Sequence, residues 1–141
     1  NFPDPYVYKN LSEIYQIEKD TAKALEVLQE GRKKLVDSLT YGLLIDETNI
    51  YLLTNRQKEA ENNLQLALQK DPNNYQLHYA LAKCFVSQNK LNDAEKEFNK
   101  SIELKPNYFD AYYDLGAMYF NEAVNNFELA NKVDPNDTKT Y

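Results

Sequence analysis

The 141-residue chain has no tryptophan, one cysteine, one histidine, one methionine and three glycines. Each shortage removes a class of function. A single cysteine forbids an intramolecular disulfide. Cys84 has Lys83 beside it in sequence, but that lysine points elsewhere on a helix, so the thiol reads as a half-buried small residue and not as a nucleophile. His78 alone would have to serve any Ser-His-Asp or Cys-His arrangement, and its place in the pattern below is a packing position. One cysteine and one histidine cannot make a zinc site without carboxylates. Three glycines spell no phosphate-binding loop and no flexible linker. Carboxylate pairs such as Glu95 and Glu97 read as a solvated helix surface. No stretch approaches the roughly 18 apolar residues of a membrane span. Sixteen Lys and Arg stand against 22 Asp and Glu, for a net charge of −6. Apart from Arg32-Lys33-Lys34 the cations form no runs, which argues against nucleic acid and against an anionic membrane surface. No cofactor and no catalysis are expected. No signal peptide is visible, and because the sequence opens at Asn1 the compartment stays open.

What is present is a repeated amphipathic pattern, clearest over residues 75–108. His78, Leu81, Ala82 and Phe85 fall on one helical face, and Leu91, Ala94, Phe98, Ser101 and Ile102 on another. Asn89 suits the left-handed residue that ends a helix, Pro106 stops the second helix, and Asn107 is a candidate cap for the next. Tyr15, Tyr51, Phe85 and Tyr119 correspond, as do Ser12, Thr48, Ala82 and Gly116, then Ala24, Ala60, Ala94 and Ala123, then Leu28, Leu64, Phe98 and Phe127. Pro72, Pro106 and Pro135 close three units. The period is about 34 residues, and one such hairpin cannot bury its own apolar face without stacked neighbours.

These residues resemble the tetratricopeptide repeat family. The third repeat supplies His78, Leu81, Ala82, Phe85, Ala94, Phe98, Ser101 and Pro106. The fourth supplies Tyr112, Leu115, Gly116, Tyr119, Ala123, Phe127, Ala130 and Pro135. The resemblance implies an all-α, right-handed superhelical solenoid of stacked helix-turn-helix hairpins. It forms a single array over 1–141, with repeats near 5–38, 41–74, 75–108 and 109–137. Tyr141 falls at the aromatic position of a fifth repeat, which suggests a longer array.

By the same resemblance the function is a non-catalytic scaffold that binds a peptide or protein segment on its concave face. An alternative is a docking or regulatory appendage of an enzyme or assembly whose other domains lie elsewhere. Self-association through uncapped repeat ends is a third expectation. The first helices line the concave face, and there the family's ligand positions fall on Tyr6, Lys9, Asn49, Gln76, Tyr79, Lys83, Asp110 and Tyr113. A carboxylate clamp for acidic tails would need cations and amides where this chain has Glu13, Asp46 and Ala80, so a neutral or mildly polar segment is the expected ligand.

Two places break the pattern. Glu47 stands where the family has leucine, and a buried carboxylate needs a partner. Either a two-residue insertion over Val36–Thr40 rotates a helix that begins near Tyr41, the favoured expectation, or Glu47 reaches out to a lysine. In the fourth repeat Ala123 follows Tyr119 by four positions, against nine in the others. The five positions of the interhelix turn are absent. Either a loop near 121–122 belongs between these residues, the favoured expectation, or the turn is deleted, and as the chain stands residues 109–133 run as one long helix.

Overall fold

The computed structural model describes residues 4–133. Pro135 as the close of a repeat and Tyr141 as the start of another lie outside the described residues. Among the described residues every regular element is an α-helix: α1 (Pro5–Ile17), α2 (Thr21–Lys34), α3 (Asp37–Leu53), α4 (Gln57–Lys70), α5 (Tyr75–Ser87), α6 (Leu91–Leu104) and α7 (Phe109–Val133). Helices pair in chain order, α1 with α2, α3 with α4 and α5 with α6, and α2–α3, α4–α5 and α6–α7 contacts stack the pairs. The buried side chains form one strip from Ala24 to Met118, the core of a helical-repeat solenoid.

Local chemistry sets the helix ends. Asp4, Asp20 and Asn74 cap α1, α2 and α5 by accepting from the amides of Tyr6 (2.9 Å), Lys23 (3.1 Å) and Gln76 (3.1 Å), groups that no helical carbonyl can reach. Each turn within a pair uses one device. Lys19, Asn55 and Asn89 adopt left-handed φ of 61°, 59° and 58°. The next amides, of Asp20, Arg56 and Lys90, each donate over 2.8 Å to the carbonyls of Tyr15, Tyr51 and Phe85. This closes the helix with the 6→1 bond of a Schellman motif. Asn89 therefore does what its residue type suggests, and its counterparts one repeat and two repeats earlier do the same.

Within each pair a small residue on the first helix lets a large one on the second approach. Ser12, Thr48 and Ala82 are buried, as are Leu28, Leu64 and Phe98 and the alanines Ala24, Ala60 and Ala94. At Gly31 the approach is closer still. A Cβ there would sit 2.6 Å from Tyr8 Cγ and 2.7 Å from Leu43 Cδ1, so only glycine lets α2 lie against both α1 and α3.

The structure departs from expectation at four points. First, α3 begins at Asp37 and not near Tyr41. No proline interrupts this stretch, Asp37 complements the positive helix N-terminus, and the two extra residues become part of an added helical turn. Second, Glu47 neither rotates outward nor reaches a lysine. It is 3% exposed and is held by Arg32 of α2, by the Tyr51 hydroxyl (2.9 Å) and by Gln29 Nε2 (3.3 Å). Third, Asn107 lies two residues ahead of α7 and is not its N-cap; Tyr108 stands where Asn74 caps α5. Fourth, Glu97 is not merely solvated. Its carboxylate lies 2.6 Å from His78 Nδ1, while His78 Nε2 lies 2.8 Å from the Pro72 carbonyl, so the imidazole ties α5 to α6 and to the preceding turn.

Where the fourth repeat lacks its turn, α7 runs unbroken for 25 residues, the second of the two readings. A second buried acid, Glu61 on α4, accepts from Gln88 (2.8 Å) and Lys90 (3.0 Å) in the next pair's turn. Burial raises its pKa, but these bonds and that of Lys58 outweigh it, and the net shift is downward. Cys84 is fully buried, more so than expected, and burial pushes its thiol up to about 11, so at neutral pH it is an inert packing group.

Candidate functional site

The face formed by α1, α3, α5 and the first half of α7 carries the residues expected at a ligand site, and they divide into two kinds. Tyr6 and Tyr113 protrude, 68% and 66% exposed, and Asn49, Gln76 and Asp110 are also exposed. Among the described residues the side-chain amides of Asn49 and Gln76 have no hydrogen-bond partner within the chain. These amides and the protruding tyrosines are open to an extended backbone.

Tyr79 and Lys83 are engaged. The Tyr79 ring packs edge-on against Tyr108 at 5.1 Å and tilted against Phe98 at 6.0 Å. Its hydroxyl donates to Asp114 Oδ2 over 2.7 Å. Burial, and then the bonded Asp114 carboxylate, push the phenol well above its ordinary pKa. Lys83 sits over the same ring and 3.5 Å from Asp114. Tyr79 thus joins α5 to α7. Asp114 lies one repeat plus one residue beyond Tyr79, which placed it on the same face; that offset was the available signal for it.

At the other end Lys9 approaches Asp46 Oδ2 at 3.9 Å. That oxygen is buried and accepts no hydrogen bond. Burial raises the Asp46 pKa, Lys9 opposes the rise and Glu13 adds to it. An acid whose folded pKa lies above its unfolded one costs nothing below the unfolded value. It takes stability away as the pH rises through the window up to the folded value. Asp46→Asn is therefore expected to melt above the parent at pH 7, with the advantage fading by about pH 3, where the carboxyl is protonated in both states. Thermal melts across that range measure it; a gap independent of pH would contradict it.

Shallow depressions lie between successive first helices. One, of about 310 Å³, has Asn49 and Gln76 at its rim and Ile45, Leu52 and Ala80 on its walls. A second, between α1 and α3, holds Lys9, Glu13 and Asp46 and shares Asn49 with the first. A third lies between α5 and α7, beside Lys83, Asp114 and Met118. Four acids, Glu13, Asp46, Asp110 and Asp114, share this face with two lysines, each already beside one of the acids. Among the described residues no group of three or more His, Cys, Asp or Glu is placed to hold a metal ion, and no helix is long and apolar enough to cross a membrane.

Stacked antiparallel helix pairs with a small–large interlock, a left-handed turn residue and a polar-aromatic first-helix face define an α-helical repeat module. Residues 52–119, just under half of the chain, match the family model described as tetratricopeptide repeat, and the chain is similar to that family. Its fold superposes with a TM-score of 0.73 on the first such domain of Spaghetti (RPAP3) bound to the HSP90 peptide SRMEEVD, at 20% identity, over 87% of this chain and 96% of that one. A tetratricopeptide repeat protein from Parabacteroides merdae gives 0.76 at 18% identity, over 96% of this chain and 56% of its own. YrrB, described as having an unusual peptide-binding site, gives 0.70 at 17%, over 96% and 72%. At these identities the likeness is one of fold. No curated protein matches the sequence.

Proposed function

We propose that the chain is a non-catalytic scaffold that holds an extended peptide or protein segment across its first-helix face, from Asn49 past Gln76 to Tyr113. The observation that carries this reading is the pair of unpartnered amides at the rim of an apolar depression. Such a site fixes a backbone by hydrogen bonds and leaves side chains to the floor. Spaghetti and YrrB, which share the fold, are described with a bound peptide and a peptide-binding site, and they lend it support. With neighbouring helices about 8–10 Å apart, some six extended residues span α3 to α7 at about 3.3 Å each. The surplus of acids on this face disfavours an acidic segment, and a neutral or basic one is the better fit.

The test is a peptide array probed with the whole chain, followed by calorimetry on the strongest hit. The double variant Asn49→Ala/Tyr113→Ala is expected to lose binding by about 2 kcal/mol or more while keeping the parent's melting point, since both side chains are exposed. SRMEEVD should bind far more weakly than that hit. Unchanged affinity in the double variant would move the site elsewhere.

A further inference from the structure

The second half of α7 carries the apolar register of a second helix, and among the described residues no first helix meets it. Phe127 is 55% exposed, whereas Phe98, its counterpart, is fully buried. Ala123 is exposed, whereas Ala24, Ala60 and Ala94 are buried. The first half of α7 has the complementary defect. Tyr112 and Tyr119 are about half exposed, and a Cβ at Gly116 would meet nothing within 4 Å, although Ser12, Thr48 and Ala82 at the same position are buried. One chain thus holds both halves of a hairpin interface. Because Ala123 follows Tyr119 by four positions, with no room for the left-handed turn of the other pairs, the two halves point away from each other along one rod.

We propose that a second copy of this chain completes the repeat, its α7 lying antiparallel on the first so that each copy's second half fills the other's vacant first half. The register supports this. In the third pair the antiparallel partners are Phe85 with Ala94, Ala82 with Phe98 and His78 with Ser101, a pairing anchored by the Ser101 hydroxyl donating to the Tyr75 carbonyl over 2.8 Å. The same pattern across two copies, turning about Asn121, sets Tyr119 against Ala123, Gly116 against Phe127 and Tyr112 against Ala130 of the second copy. The small–large interlock seen three times within the chain recurs between chains. Exchange of an identical element through a shortened hinge is a low-cost route to a two-fold dimer. Tyr112, Tyr119 and Phe127 of the two copies make six rings with about half of their surface still exposed, and they supply a part of the area a specific interface needs. The result is a closed pair that presents two first-helix faces, not an open-ended stack.

Light scattering on the full chain tests this. The parent should run as a dimer, with no growth beyond two copies as concentration rises. Gly116→Phe fills the space meant for Phe127 of the second copy, while its Cβ meets nothing within 4 Å in the single chain, so it should give a monomer with undiminished helical circular dichroism. Copying the turn Ser87–Leu91 between Phe120 and Asn121 restores the nine-position spacing. That variant should close on itself as a monomer and melt above the parent, and it stands as the test if Gly116→Phe misfolds. A monomeric parent, growth past the dimer, or a dimer that survives the inserted turn would each overturn the proposal.

Discussion

Phe98→Ala is expected to lower the stability of the chain by about 3–5 kcal/mol, read from the urea midpoint with the slope unchanged. Phe98 has no exposed surface. It shares the buried core with Ala82 and Ala94, the small residues that let α5 and α6 close, and its ring packs tilted against Tyr79 at 6.0 Å. Removing it leaves a void that the neighbours fill only in part. That void also loosens the ring whose hydroxyl holds Asp114, so α7 should lose its link to α5 as well. Phe98→Leu, closer in volume, should cost less than about 1.5 kcal/mol. If the alanine variant melts like its parent, the pairing of α5 with α6 assigned here is wrong.

Arg32→Ala should cost about 3 kcal/mol, the low end of what stranding a buried charge costs. Glu47 has almost no access to water, and Arg32 is the one cation in ion-pair contact with it among the described residues. Tyr51 and Gln29 would still donate to it, and Arg32 itself is about a quarter exposed, which keeps the loss from being larger. Replacing both ends, Arg32→Met with Glu47→Leu, puts leucine back at the family's usual residue and removes the charge along with its partner. Tyr51 then keeps Gln29 at 3.1 Å. The double variant should recover to the parent or exceed it, because a well-packed apolar pair commonly equals a buried ion pair. A double variant as unstable as Arg32→Ala would show that the cost is not that of a stranded buried charge. Chemical denaturation of the three proteins decides between these outcomes.

The sequence by itself determined the repeat. Apolar residues at helical spacing, small residues facing large ones, and asparagine or proline at the breaks recur at nearly constant intervals, and each signal acts within a dozen residues of itself. The same local arithmetic showed that the fourth repeat lacks the residues of a turn, but left open a further loop near 121–122; that α7 runs unbroken was the other of its two readings. It also marked the exposed groups Tyr6, Asn49, Gln76, Asp110 and Tyr113, whose position on a helix face depends only on their offset.

Tertiary structure alone decided what depended on a neighbour in the next helix or the next pair. Glu47 reads as an error in the pattern until Arg32, 15 positions earlier on α2, is brought beside it. Glu61 meets Gln88 and Lys90 from 27 and 29 positions away. Tyr79 reads as a free ring until Asp114, 35 positions on, accepts its hydroxyl. The start of α3 shifted because no proline punctuated its approach and stacking on α2 favoured the extra turn. In each case a polar group's state depends on whether its partner reaches it once water is excluded, and that is a property of stacked helices that no single helix carries in its own sequence.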